Sequence, residues 1–282
     1  FNTKFNRVKI VKDGETLSLG THKLQFVFAP MVHWPEVMFT YDATAKILFS
    51  ADAFGSFGSI SNIMDNESGY CEEYIQEMRR YYTNIVGKYG IQVKMALSKA
   101  SALDIKYICP LHGLVLCSHI GEVITKYLLW AEYKAEDNDG VLVVYASMYG
   151  HTKALAYSVA TTLAERGVAT QVYDVSETDV SYLIAESFKF RKIALLSVTY
   201  NNRLYPKMKQ VLDDFVALNN QNKVFALAEN GSWAPCAIKE MKEIIALAKN
   251  CSINSETITI KSSPTDKTEL DITNFVDAII KA

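Results

Sequence analysis

The 282-residue sequence predicts an α/β protein built from two domains. Two observations carry that expectation, and a third places the boundary. From residue 141 onward, apolar β-branched runs alternate regularly with stretches of helical periodicity. Before residue 131 the strand-like runs come first and the helical stretches follow as a block. Between them lies AEYKAEDNDG, residues 131–140, polar and acidic, where the domains are divided as 1–135 and 136–282.

In the second half, Val141–Ala146 is a continuous apolar run of the kind that forms a strand buried on both faces. A helix is expected over Lys153–Glu165, stopping near Gly167. Strand-like Val168–Val175 follows, then a short helix over Asp179–Phe188 and a second buried strand, Lys192–Val198. Pro206 opens a helix over Lys207–Leu218. Strand Lys223–Ala228, helix Ala237–Ala248, strand Thr257–Ile260 and helix Glu269–Ile280 complete the series. Five strands, each followed by a helix, define a doubly wound, five-stranded parallel sheet. The first half has hairpin turns at Asp13-Gly14 and Leu19-Gly20-Thr21 and strands near Leu24–Phe28 and Lys46–Ser50. A long amphipathic helix over Gly69–Lys88 and a short strand at Lys106–Cys109 follow. This is an α+β domain or half of a layered sandwich.

Composition narrows the function classes. Lys and Arg total 29 against 31 Asp and Glu, so the basic excess expected of a nucleic-acid binder is missing. No apolar run approaches the roughly 18–20 residues that span a bilayer. The five cysteines are scattered and form no C-x-x-C pair, which argues against a disulfide framework, a zinc knuckle or an attached rubredoxin-type centre. A reduced, cytoplasmic protein is expected.

Three loops in the second half sit where ligands bind such sheets. Ser147-Met148-Tyr149-Gly150-His151-Thr152 joins the first strand directly to a helix N-terminus, which can hold a phosphate through backbone N–H groups and the helix dipole. No Lys follows the glycine, and one glycine is too few for a dinucleotide fingerprint. Ser197-Val198-Thr199-Tyr200-Asn201-Asn202 and Glu229-Asn230-Gly231-Ser232-Trp233-Ala234 follow the third and fourth strands. Their aromatic and small polar residues suit a planar heteroaromatic ring. Asp174, at the end of the second strand, is read as a solvated loop acid.

The first half repeats one design three times: a strand ends, a His or Asp appears, and turn residues follow. The positions are His33, Asp52 and His112. Two imidazoles and one carboxylate suit iron or zinc, and a carboxylate can bridge two ions. His22, His119 and His151 are read as ordinary, non-ligating histidines.

These segments resemble a known family. SMYGHT, residues 147–152, is similar to the [ST]-x-x-G-x-T loop of flavodoxins, and with the Tyr-Asn-Asn of the next loop it resembles the flavodoxin module of flavodiiron proteins. APMVHWPEVMFTYD, ILFSADAFG and CPLHG resemble the metallo-β-lactamase-like domain of the same family, in order and spacing. The resemblance implies the C-terminal part of an αββα domain followed by a flavodoxin-like domain. It implies an FMN phosphate at residues 147–152 and the isoalloxazine ring between the loops at 199–202 and 229–234. It implies a diiron site with Asp52 bridging, His33 on one iron and His112 on the other. The family's first ligand cluster, H-x-E-x-D-H, has no match in this sequence. Three explanations stay open: one piece of a nicked protein, one product of a split gene whose partner chain supplies the rest, or a natural truncation. The resemblance also implies a small separate electron donor such as rubredoxin, head-to-tail dimers, and reduction of dioxygen to water or nitric oxide to nitrous oxide. The alternatives are an FMN-binding electron carrier with an inactive metal domain and a metallo-hydrolase fused to a flavodoxin.

Overall fold

The computed structural model describes residues 8–66 and 69–282, and the chain divides into two compact units, residues 1–131 and 132–282. In the first unit, β1 (Thr16–Leu19), β2 (His22–Phe28), β3 (Met38–Asp42), β4 (Ile47–Phe49) and β5 (Tyr107–Cys109) form one sheet in chain order. Strands β1 to β4 pair antiparallel, whereas β4 and β5 run parallel with Phe49 opposite Cys109. Strands β2, β4 and β5 therefore point the same way, and the chain leaves all three at one edge of the sheet. The two-residue side-chain alternation buries Val27, Phe39, Tyr41, Leu48 and Ile108 on one face. Strand β3 had no counterpart in the sequence reading; its Thr40 and Tyr41 give a strand pattern too short to separate from the turns on either side.

The expected single helix over Gly69–Lys88 is instead a series. Helix α1 (Glu72–Tyr81) opens on Glu72 and Glu73 and closes on Arg79 and Arg80, complementing the helix dipole. A π-helical turn over 82–86 and a 3-10 turn over 87–89 then lead into α2 (Gly90–Ala100). The departure falls on Thr83, Ile85, Val86, Gly87 and Gly90, all poor helix formers. Helix α3 (Ile120–Ala131) packs Tyr127 and Trp130 on Tyr82, with ring centroids 4.9 and 5.2 Å from it.

The second unit runs β6 (Asp137–Ala146), α4 (His151–Glu165), β7 (Thr170–Asp174), α5 (Val180–Lys189), β8 (Phe190–Tyr200), β9 (Arg203–Leu204), α6 (Pro206–Ala217), β10 (Val224–Asn230), α7 (Ala237–Ile245), β11 (Ser252–Ile260) and α8 (Asp266–Lys281). The sheet order is β7-β6-β8-β10-β11, all parallel, with β9 folding back antiparallel on β8. That is the doubly wound order with its switch point between β6 and β8. Leu142, Val144, Leu195 and Phe225 pack on one face; Val143, Tyr145, Leu196 and Ala226 pack on the other. Burial on both faces is why these strands read as unbroken apolar runs. The polar segment 131–140 is not all linker. Asp137 already pairs with Phe190, and its carboxylate accepts the Asp139 and Gly140 amides. Those side-chain bonds offset the segment's low strand propensity.

Lys223 is the most deeply buried ionisable side chain of this unit. Lys223 is 1% exposed, and its Nζ donates to the Phe190 carbonyl at 3.1 Å and the Phe188 carbonyl at 3.4 Å. Burial brings its pKa down to about 7. The unfolded chain then binds a proton that the folded chain lacks between pH 7 and the usual lysine range, so stability rises with pH across that window. Denaturant unfolding at a series of pH values is expected to show this rise, and Lys223→Met is expected to remove it and to be more stable at neutral pH. An unchanged slope in the variant would contradict the assignment.

Candidate functional site

The register of β6, β8 and β10 sets the geometry of the first candidate site. Ala146 lies opposite Ser197, and Ser197 opposite Glu229, so the parallel pairing of the three strands stops within one residue of a common row and three loops leave beyond it. They enclose a cavity of about 570 Å³, within the roughly 300–1,000 Å³ typical of cofactor sites. Ser147, Met148, Tyr149, His151 and Thr152 line one wall. Thr199, Tyr200, Asn201 and Asn202 line a second, and Asn230, Gly231, Ser232, Trp233 and Ala234 a third. Val198, at the start of the second of these loops, and Ser262, which has no mark in the sequence, also line it. Ser262 is brought in only by the parallel pairing of β10 with β11.

Helix α4 opens into this cavity. Gly150 holds φ +89 at its N-cap, a left-handed conformation that glycine adopts without penalty. Its N–H donates to Ser147 Oγ at 3.1 Å, closing the loop on itself, and no side chain caps the helix. The first-turn residues His151 and Thr152 line the cavity with no side chain capping their N–H groups, the kind of helix start that binds anions. None of the residues lining the cavity is acidic, and none is Lys or Arg. An anion there would be held by backbone, hydroxyls and helix dipole rather than by a fixed cation. Tyr149 and Trp233 are 83% and 85% exposed, an unusual cost for two large aromatics on one cavity. The site fits FMN on these grounds: a helix N-terminus for phosphate, and unpaired aromatic faces for a flat ring.

Glu229 stands apart. The sequence reading put it in the third loop, but β10 continues through Asn230, and Glu229 does not line the cavity. Its carboxylate accepts the Ile238 amide at 2.9 Å and the Thr259 hydroxyl at 3.1 Å, fastening α7 to β11. Asn230, the next residue, points the other way. It donates to the Ser262 carbonyl at 2.9 Å and to Thr152 Oγ1 at 3.4 Å, and accepts the Ser262 amide at 3.1 Å. Asp174 accepts the Ser176 amide at 2.8 Å and lies outside the cavity lining.

The second candidate site lies at the common edge of β2, β4 and β5. Parallel pairing continues past the strands: the Ser50 amide donates to the Cys109 carbonyl at 3.2 Å and the Leu111 amide to the Ala51 carbonyl at 2.8 Å. This sets Asp52 beside His112. The loop after β2 delivers His33. His33 Nε2 is 3.5 Å from Asp52 Oδ2, and His112 Nε2 is 3.6 Å from Asp52 Oδ1. Each imidazole thus faces a different oxygen of one carboxylate. Two donors at about 2.1 Å from a metal and a tetrahedral angle lie roughly 3.4 Å apart, so either gap fits an ion between the pair. Among the described residues, no three His, Cys, Asp or Glu side chains converge as ligands of a single ion. The donors themselves, two imidazole nitrogens facing the two oxygens of one carboxylate, are of the type that suits iron or zinc.

Packing holds these groups in place. Tyr81 stacks obliquely on His112, with centroids 5.7 Å apart. Burial first, and the Asp52 charge second, push the Tyr81 pKa well up, so it stays a neutral donor. Tyr81 was invisible as a site residue because it lies thirty residues from either partner. Gly113 holds φ +92, and a Cβ there would meet Tyr74 Oη at 2.8 Å and Ser56 Oγ at 2.9 Å, so only glycine can follow His112. His22 pairs instead with Asp42 at 2.6 Å, and His119 stacks on Tyr70 at 3.9 Å.

Comparison with known proteins agrees with both halves. The ODP family beta lactamase profile matches residues 1–113 and the flavodoxin profile residues 143–271. An uncharacterized protein of Methanocaldococcus jannaschii is 32% identical over 95% of this chain and 67% of its own. A nitric oxide reductase of Moorella thermoacetica is 31% identical over 85% of this chain and 60% of its own. The solved rubredoxin oxygen:oxidoreductase of Desulfovibrio gigas superposes with a TM-score of 0.89 at 25% identity, covering 99% of this chain and 70% of that one. The flavodiiron protein of Giardia intestinalis gives 0.83 at 26%, covering 97% and 67%. The chain spans roughly half to two thirds of the length of the curated relatives it matches. A β-lactamase-like sheet joined to a flavodoxin-like unit, with relatives and solved structures of this kind along nearly its whole length, makes this chain a member of the flavodiiron family. Among the described residues, no helix is long and apolar enough to cross a membrane.

Asn230 ties the helix-α4 loop to the loop after β11. Asn230→Ala is expected to cost about 1–3 kcal/mol, because the Ser262 amide and carbonyl lose their partner. Chemical denaturation of the second unit measures it, with Asn230→Asp, which keeps only the acceptor, as the intermediate case.

Proposed function

We propose that this chain is the FMN-binding and metal-binding part of a flavodiiron oxidoreductase. In this reading it takes electrons from a small protein donor such as rubredoxin and delivers them to dioxygen or nitric oxide in the cytoplasm. The observation that carries the reading is the cavity at the ends of β6, β8 and β10, with a helix N-terminus on one wall and exposed aromatics on the others. The names of the relatives support the two substrates, since one is a nitric oxide reductase and another a rubredoxin oxygen:oxidoreductase.

FMN, when bound, supplies storage and release of electrons, and an iron pair supplies binding and reduction of the gas. The protein contributes position and electrostatics. The backbone of residues 148–152, with the Ser147 and Thr152 hydroxyls, holds the phosphate without a fixed cation. Tyr149, Tyr200 and Trp233 flank the ring and limit its contact with water. Asn201, Asn202 and the 231–234 backbone offer donors and acceptors to the ring edge. In the other unit, Asp52, His33 and His112 would be the residues that hold the iron, with Asp52 as the carboxylate shared between the two histidines. Tyr81, held neutral, packs its ring on the His112 imidazole and so would limit that ligand's movement, as a group behind a metal ligand does. Head-to-tail pairing of two copies, or a partner chain, completes the electron path and the remaining metal ligands in this reading.

Two measurements test it. Titration of the flavin-free protein with FMN is expected to quench flavin fluorescence. Ser147→Ala with Thr152→Val is expected to weaken FMN by about tenfold or more, while riboflavin, which lacks the phosphate, binds the variant as it binds the parent. Equal loss for both ligands would place the phosphate elsewhere. Titration with ferrous iron or cobalt is expected to lose at least about tenfold in affinity in Asp52→Ala, because removing a direct ligand costs no less than removing its support. Full iron binding by that variant would remove the bridging role.

A further inference from the structure

The wall formed by residues 199–202 is a hairpin too short to hold itself. Strand β9 has two residues, and its pairing with β8 gives two rungs, Thr199 with Leu204 and Tyr200 with Arg203. The turn between them is Asn201-Asn202, both at positive φ (49° and 57°), the pattern of a type I′ hairpin. An isolated hairpin of this length has no stability of its own in water. Something outside it must set the position of Tyr200 and the two asparagines.

That group is Glu240 on α7. Its Oε2 accepts the Leu204 amide at 2.8 Å and Arg203 Nε at 3.2 Å, and its Oε1 accepts Arg203 Nη2 at 3.1 Å. One carboxylate thus takes three hydrogen bonds from β9, two of them the bidentate fork of an arginine. The Glu240 side chain is 13% exposed, and that of Arg203 is 71% exposed. The Arg203 bonds, with the Leu204 amide and against the opposing effect of burial, hold the Glu240 pKa below its usual value, so the clamp is charged at neutral pH. Lys209 also faces Glu240 from α6 and favours the same state. Helix α7 starts just after the 231–236 loop, whose end is fixed by the Cys236 amide donating to Thr199 Oγ1 at 3.0 Å. Glu240 therefore joins the Tyr200 wall to the helix that carries the Trp233 wall. Neither Glu240 nor Arg203 lines the cavity.

We propose that Glu240, through Arg203 and the Leu204 amide, is the positioning residue that sets how tightly the cavity holds the flavin ring. The proposal rests on the reading of that cavity as an FMN site. The clamp acts on the ring end and leaves the α4 end untouched, so ring affinity and phosphate affinity separate.

The flavin-free protein and its variants are titrated with FMN and with inorganic phosphate, and their thermal transitions are recorded. Glu240→Ala is expected to weaken FMN by about tenfold, and Glu240→Gln, which keeps an acceptor for the Leu204 amide, by about threefold. Phosphate affinity stays at the parent value in both. Arg203→Met, a change at an exposed side chain, weakens FMN as Glu240→Gln does, and the double variant is no weaker than Glu240→Ala, showing one shared interaction. The visible circular dichroism of bound FMN changes with the weakening, which general loss of stability would not produce at full occupancy. If Arg203→Met and Glu240→Gln bind FMN with parent affinity and spectrum, the clamp is overturned while the FMN site stands. If the parent protein does not bind FMN, both are overturned.

Discussion

Parallel pairing in fixed register is the constraint on which both candidate sites depend. When parallel strands lie side by side, their carboxyl ends fall on one edge, and the residues just beyond them become neighbours whatever their distance in sequence. In the second unit the row Ala146–Ser197–Glu229 does this for three loops. In the first unit the pairing of Phe49 with Cys109 does it for Asp52 and His112, and β2, running the same way, adds His33. A slip of one residue in β4 against β5 would turn Leu48 out of the core and move Asp52 away from His112 together. The buried face that stabilises each sheet therefore also fixes the chemistry at its edge.

The two edges use that placement differently. The flavodoxin-like cavity carries neither a fixed cation nor a carboxylate, and its charge preference comes from a helix end and backbone. Buried charge is kept away from it: Glu229 is tied down between α7 and β11, and Lys223 sits at the start of β10, beyond its other end. The other edge concentrates ionisable groups, with one carboxylate between two imidazoles and a buried phenol behind it. A cradle without fixed side-chain charge at a helix N-terminus suits an anionic ligand, and a cluster of oxygen and nitrogen donors suits a metal.

Much of this was legible in the sequence because burial writes a simple pattern. Val141–Ala146 and Lys192–Val198 are apolar throughout because both faces of their strands are covered. SMYGHT announces a turn into a helix through one glycine and two hydroxyls. His33, Asp52 and His112 share the motif of a strand followed by a ligand-type residue and a turn. Other features leave no local mark. Glu229 read as loop because a carboxylate at the end of a strand looks solvated until Ile238 and Thr259 are seen to bind it. Ser262 and Tyr81 enter their sites only through tertiary packing. The helix expected over Gly69–Lys88 kept its apolar periodicity, but periodicity does not report the π-helical turn that interrupts it.

The central claim is that one chain places a flavin site and a bridged metal site at the ends of its parallel strands. It is tested most directly by counting FMN and iron on one purified sample whose polypeptides have been weighed intact under denaturing conditions. One FMN and two irons per copy of this chain are expected, together with whatever polypeptide supplies the remaining ligands. Flavin without iron, in protein confirmed to be full length, would contradict the claim and leave an electron-transfer flavoprotein in its place.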